Sequence, residues 1–295
     1  MPRKSFYEAS ARERVLALLD ADSFHEFVPP SERATSPHLR ELDQPVAFDD
    51  GLIAGAGTLD TRSVLIAAQE GAFLGGAVGE VHGAKLVGLL RRAIAERPAA
   101  VLILFDSGGV RLHEANAGLV AVSEILRAIC AARAAGVRVV GLIGGAAGCF
   151  GGTGLIARCC DAIVMSEEGR LAMSGPEVIE TVHGVEEFDA RDRALVWRVT
   201  GGKHRYLLGE ADRLVDDDID AFRSAAIELL DGPSGLDLDD VEREHAMLAA
   251  RWQAYADCED APEIWRRLGI ETPDKIAMMD AAEFVATADL ARRPA

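Results

Sequence analysis

Basic residues are scarce in this chain: 31 lysines and arginines face 48 aspartates and glutamates, for a formal net charge of −17 and a sequence pI of about 4.8. A phosphate backbone needs a basic face to bind against, so the balance excludes nucleic acid as a partner. Cysteine is thin as well, with five residues at positions 130, 149, 159, 160 and 258 and no C-x-x-C pair. That excludes a zinc ribbon, argues against a disulfide framework and fits a reducing cytosol, hence a cytoplasmic protein. An apolar h-region is missing behind Arg3 and Lys4, so no signal peptide is expected. The longest uncharged run, Val139–Ala157, holds seven glycines in nineteen residues. Its first part reads as a strand, and it is no membrane span.

Several catalytic signatures are absent too. There is no G-x-x-x-x-G-K-[ST], no G-x-S-x-G elbow and no H-E-x-x-H or His/Asp cluster to hold a metal. Gly152, Gly154 and Ala157 spell G-x-G-x-x-A, but about eight residues after the preceding strand. A dinucleotide fingerprint follows its strand directly, so NAD is not expected. Cys149 lies in a glycine loop with no evident paired histidine, and is read as a small hydrophobe rather than a nucleophile. His113 is either a proton donor or a surface residue at a helix end.

What is present is 49% hydrophobic residues in 295, enough for a sizeable core. The organising stretch is Val101–Met165. Val101–Phe105 (VLILF) is a short apolar run suited to a strand buried on both faces. Ser107, Gly108, Gly109 and Val110 follow, and Leu119, Val122, Leu126 and Ile129 recur at helical spacing. Val137–Ile143 repeats the strand, Gly144 to Gly154 repeat the bend with six glycines, and Ala162–Met165 is the next strand. Gly75 and Gly76 open a third such unit. Glycine lets main chain turn sharply and lets a ligand touch it without a Cβ between. Two adjacent strand-to-helix bends would aim two N–H donors at one point, which holds an oxyanion. Tight turns and close packing are the plainer use of the same glycines.

Around this stretch the residues predict a helix at Ala11–Leu19 with Val15, Leu16 and Leu19 on one face, and a polar connection over 29–45. Strands are expected at Val46–Phe48, Leu52–Leu59, Val64–Ala68 and Leu171–Met173. Helices are expected at Glu177–Val182, at Ala190–Val199 stopped by Gly201-Gly202, at Ala221–Leu230, and at Val241–Tyr255 and Pro262–Leu268. Asp216–Asp218 reads as a solvated turn. Trp252 and Trp265 are either core or anchors for another chain.

FLGGAVGEVHGAKL, FDSGGVRLHEA, GGAAGCFGGTG closed by DAIVMSE, and MSGPEVIE, in this order and after ARERVLALLDADSFHEF, resemble the carboxyltransferase family of the crotonase-like superfamily over roughly residues 11–230. RLHEANAGL, the length and the C-terminal extension are similar to the beta-subunit family of biotin-independent malonate decarboxylases. The resemblance implies an α/β fold, a crotonase-like ββα spiral over 1–235, with a C-terminal helical extension over 236–295 that contacts a partner. It implies catalytic main chain at Gly108, Gly109, Phe150, Gly151 and Gly152, with the individual amides left open. It implies substrate contacts from Ser107, Arg111, Gly75, Gly76 and Lys203, and no metal. The implied reaction is decarboxylation of a malonyl thioester through an enolate, shared with a homologous gamma-type subunit that completes the site. The acyl group would ride a phosphopantetheine-like, dephospho-CoA-derived arm on an acyl carrier protein, loaded by a carrier-transferase alpha subunit, without biotin. Lys203, His204, Arg205, Arg158 and Lys85 are candidates to attract that acidic carrier. The rivals are a subunit of a biotin-dependent acyl-CoA carboxyltransferase and a non-catalytic carrier-docking scaffold.

Overall fold

The computed structural model describes residues 4–43 and 51–292. Seven strands form one sheet in chain order: β1 His25–Phe27, β2 Leu52–Leu59, β3 Arg62–Gln69, β4 Ala100–Phe105, β5 Val139–Ile143, β6 Ala162–Ser166 and β7 Arg213–Val215. β1 to β3 are antiparallel, and β3 to β7 run parallel. Parallel strands need crossovers. From β3 to β6 these are α3 Glu80–Glu96, α4 Asn116–Ala134 and α5 Gly152–Arg158, and from β6 to β7 the chain crosses over residues 167–212; the N-terminal α1 Ala11–Leu18 and the short α2 Pro37–Glu41 precede them.

The central parallel strands β4, β5 and β6 are buried along their whole length, which is why their sequences are near-continuous apolar runs. Val101, Ile103 and Phe105 face one core with α3 and α4, while Ala100, Leu102 and Leu104 face the other with α1 and the later helix Ile219–Leu229. Beyond the carboxyl ends of the strands, main chain pairs again in single bridges, Val78 with Val110 and Ser107 with Cys149, and Cys149 also with Leu171. Each unit is therefore a long strand, a short outer extended piece and a helix, the expected ββα repeat. The Val139–Ala157 run divides into β5, this outer piece and α5. Among the described residues no helix is long and apolar enough to cross a membrane.

The remaining helices are α6 Pro176–His183, α7 Arg193–Thr200, α8 Gly202–Leu207, α9 Ile219–Leu229, α10 Leu238–Tyr255, α11 Ala261–Arg267 and α12 Ala281–Arg292. Several expectations change. Leu16 is 55% exposed and Arg14 takes a place on the buried face of α1, because Arg14 has a carboxylate to meet inside. Leu171–Met173 is no strand; only the Leu171 bridge remains. Gly201 ends α7 and at once caps α8, so the expected stop is a corner between two helices. Asp216–Asp218 is more than a solvated turn: Asp217 accepts from the Tyr7 amide at 2.8 Å, and Asp218 caps α9. The Val46–Phe48 strand and Asp50 lie outside the described residues.

The two tryptophans have different fates. Trp265 is buried in the sheet's own core with Ile270, Ile276, Phe284 and Ala288. Trp252 is 74% exposed on α10, a helix with no buried residue.

Candidate active site

The bends after β4 and β5 lie against each other. The Ser107 amide donates to Gly148 O at 2.6 Å and the Phe150 amide to Ser107 O at 3.1 Å. Thr153 Oγ1 donates to Phe150 O at 2.6 Å. Gly109 and Gly151 have positive φ, 128° and 57°, and a Cβ built on Gly151 would lie 3.5 Å from Gly109 Cα. Glycine is required here for the backbone conformation; a Cβ would meet the facing main chain only at ordinary contact distance. The third glycine bend joins them: Gly75 O accepts from the Gly108 amide at 2.8 Å.

The structure narrows the donors. Gly108 donates to Gly75 O, Phe150 to Ser107 O and Gly151 to Met173 O. Gly109 N–H donates to Ser107 Oγ at 3.1 Å. Among the described residues, the amides of Val110 and Gly152 meet no acceptor. The two residues adjoin: a Cβ on Gly152 would lie 3.3 Å from Val110 Cγ2. Val110 was not singled out from the sequence. Its signal is positional, the residue directly after a positive-φ glycine that turns the next amide outward.

A second missed residue lies beneath the bends. Asp106, 3% exposed, accepts from Arg14 Nη1 at 2.7 Å and from the Ala147 amide at 2.6 Å. Its own amide donates to Gln69 Oε1 at 3.1 Å. Burial pushes the Asp106 carboxyl upward, and the Arg14 guanidinium opposes that shift. A lone acidic residue closing an apolar strand was the available sequence signal, since such a charge needs a buried partner.

Other expected residues stand elsewhere. Arg111 is buried, with Nη1 2.9 Å from Glu114 Oε1 and Nη2 donating to Ala77 O. It braces the loop after the Ser-Gly-Gly bend. Lys203 needs correction as a substrate contact: it is 4% exposed and its Nζ donates to Ile276 O and Met279 O, with Glu167 at 2.6 Å. Helix α8, missed in the sequence, turns this basic cluster inward. His204 accepts from Trp265 Nε1 at 3.0 Å, and Arg205 pairs with Glu210. Arg158 pairs with Glu244, and Lys85 donates to Leu52 O. Cys149 is fully buried and its thiol is pushed far up by burial, so it offers no thiolate. His113 is exposed on the turn Leu112–Glu114.

Two adjoining glycine bends with unengaged main-chain amides, beside a Cys149 thiol that burial keeps from ionising, suit an oxyanion rather than thiolate chemistry. The model of the family described as "Carboxyl transferase domain" matches residues 8–230. The chain belongs to that family. Among carboxyl transferase proteins, it is 40% identical to malonyl-S-ACP:biotin-protein carboxyltransferase MADC of Malonomonas rubra, over 97% of this chain and 96% of the relative. It is similar to a chain of the crystal structure of a Pseudomonas malonate decarboxylase hetero-tetramer in complex with malonate. There the TM-score is 0.75 and the identity 36%, over 97% of this chain and 98% of that one. A chain of the Pseudomonas malonate decarboxylase MdcD-MdcE hetero-dimer matches with TM-score 0.64 and 34% identity, over 91% and 97%.

Proposed function

We propose that this chain is the carboxyltransferase-type subunit that, with a homologous gamma-type partner chain, decarboxylates a malonyl thioester. The observation that carries the reading is the pair of adjoining bends with two unengaged amides, Val110 and Gly152. When the C–C bond to the carboxylate breaks, its electron pair moves into the thioester and charge collects on the thioester oxygen. Carbon dioxide leaves, and an enolate remains to be protonated at carbon. N–H groups fixed where that charge develops need no reorganisation, and each contributes about 3 kcal/mol to the transition state. Gly108, Gly109, Phe150 and Gly151 shape this cradle and Gly152 supplies a donor to it. Ser107 fixes the Gly109 amide, and Gly75 and Gly76 back the first bend.

One chain supplies half a site. Around the bends Leu112, Leu119, Val120, Leu155, Met173 and Val182 are 43–80% exposed. An apolar rim of this kind marks a protein contact. The Pseudomonas relatives are solved as a hetero-dimer and a hetero-tetramer, which supports a homologous subunit closing over the rim. Residues 1–235 would carry the site, and the exposed helix α10 within 236–295 would contact a further chain. The acyl group would arrive on the phosphopantetheine-like arm of an acyl carrier protein, loaded by a carrier-transferase alpha subunit, in the cytoplasm.

A second reading has its own support. The Malonomonas relative is named for transfer from malonyl-S-ACP to a biotin protein, and the same cradle would serve if the carboxyl group passed to biotin instead of leaving. The complex co-purified from its host separates the two: carbon dioxide release from malonyl thioester without a biotin protein, unaffected by avidin, supports decarboxylation. Strict dependence on a biotin protein overturns it. Gly109→Val, which forces a β-branched residue to φ 128°, should abolish turnover and leave the complex assembled. Unchanged turnover would favour a docking scaffold.

A further inference from the structure

We infer that Asp106 is a positioning residue that holds the two oxyanion bends in register, with Arg14 as its buried partner. The inference rests on the decarboxylase reading of the bends.

Three successive strand-to-helix corners converge on this residue. Asp106 itself sits at the corner after β4. A Cβ on Gly71, in the corner after β3, would lie 2.8 Å from its carboxyl carbon, and one on Gly145, in the corner after β5, would collide with the same carboxylate. A Cβ on Gly76 would collide with the Asp106 carbonyl. The carboxylate has no freedom to move without moving all three.

Its two oxygens are divided between two tasks. Oδ1 accepts from the Ala147 amide at 2.6 Å, inside the bend that ends in Gly151 and Gly152. Oδ2 accepts from Arg14 Nη1 at 2.7 Å, both side chains being almost wholly buried. Arg14 in turn donates from Nε to Phe6 O and from Nη2 to Tyr7 O, which ties the N-terminal segment to the same point. The Asp106 amide donates to Gln69 Oε1, and Gln69 Nε2 lies 3.2 Å from His82 Nε2, which links the corner to α3. Asp106 touches neither Val110 nor Gly152, so its action is on where their bends stand. A displacement of about 1 Å in a reacting geometry costs on the order of 10²-fold in rate.

A buried ion pair is a poor stabiliser against an apolar replacement, whereas removing one partner leaves an uncompensated charge. The test therefore changes both. In the complex with the partner chain, Arg14→Met/Asp106→Ala removes the pair and the acceptor for the Ala147 amide. Arg14→Met/Asp106→Asn removes the pair and keeps an acceptor. With malonyl-CoA as substrate, the Ala double variant should lose about 10²-fold in kcat with KM within about threefold, and the Asn double variant should recover to within about fivefold of wild type. Hydrogen exchange of the amides over 145–152 should quicken in the Ala double variant and return in the Asn one. Equal kcat in the two double variants, or kcat that follows melting temperature rather than the acceptor, overturns the inference. If the wild-type complex releases no carbon dioxide, the decarboxylase reading fails. Hydrogen exchange then decides alone: unchanged protection over 145–152 in the Ala double variant overturns the positioning role.

Discussion

His204 offers a direct measure of how firmly the C-terminal segment is held to the sheet. It lies on α8, 6% exposed, and its Nδ1 accepts the indole N–H of Trp265 at 3.0 Å. The ring is therefore neutral with its proton on Nε2. Burial, helped by the charge of Arg205, lowers its pKa from 6.5 to about 3, against the opposing pull of Glu210 and Asp260. The folded pKa is the depressed one. The unfolded chain takes up a proton near pH 6.5 and the folded chain refuses it, so this stability is complete above pH 6.5 and is lost as pH falls toward 3. At pH 5 the loss is about 2 kcal/mol, from roughly 1.5 pH units at about 1.4 kcal/mol each. His204→Asn places an amide oxygen where Nδ1 was, keeps the acceptor for Trp265 and removes the titration. Calorimetric melting of both proteins between pH 7.5 and 5 should show a steeper fall for wild type, by a few degrees at pH 5. Subtracting the two profiles cancels the carboxylates that titrate in both. Parallel profiles would refute the linkage and with it the assignment of His204 as a neutral acceptor.

Lys203→Met should cost roughly 2–3 kcal/mol in denaturant unfolding, since Glu167 and the carbonyls of Ile276 and Met279 lose their donor. KM for malonyl thioester should stay within about twofold, and a larger rise would return Lys203 to the substrate. Trp252→Ala should leave the chain's own stability within ~0.5 kcal/mol, because the ring is 74% exposed. Titration calorimetry with a partner chain should show at least a tenfold loss of affinity if α10 is an interface centred on that ring, and unchanged affinity would remove α10 from the contact.

The parts of the fold that could be read from the chain are those with short-range causes. VLILF and VRVVGLI announce buried strands, the second of which begins two residues later at Val139, and glycine pairs announce the bends. Registers of β4 with β5 and of Ser107 with Cys149 then bring those bends together, as two adjacent βα units must. What stayed hidden depends on long-range pairing. Arg14 and Asp106 are 92 positions apart, and nothing local says that an arginine on the first helix turns inward. Lys203-His204-Arg205 looked like a basic surface because Gly201-Gly202 reads as a stop. The chain continues into α8, whose acceptors lie in Glu167, Glu210 and the carbonyls of 276 and 279. The choice of amide was equally out of reach, since it depends on which donors the outer bridges consume, and those leave Val110 and Gly152.

The same internal pairing bears on how an acidic carrier protein could approach. A net charge of −17 repels it, and three of the basic candidates are paired within the chain: Lys203 with Glu167, Arg205 with Glu210 and Arg158 with Glu244. A paired cation adds little field at a distance, and what remains is screened beyond about 8–10 Å at physiological salt. On the proposed reading, attraction for a carrier would then come chiefly from the partner subunit. The isolated chain should bind an acyl carrier protein weakly at 20 mM salt and no more weakly at 200 mM, because salt screens a repulsion. The assembled complex should bind it more tightly and lose affinity over the same range. A titration in which the isolated chain binds tightly at low salt and releases the carrier at high salt would place the attractive surface on this subunit after all.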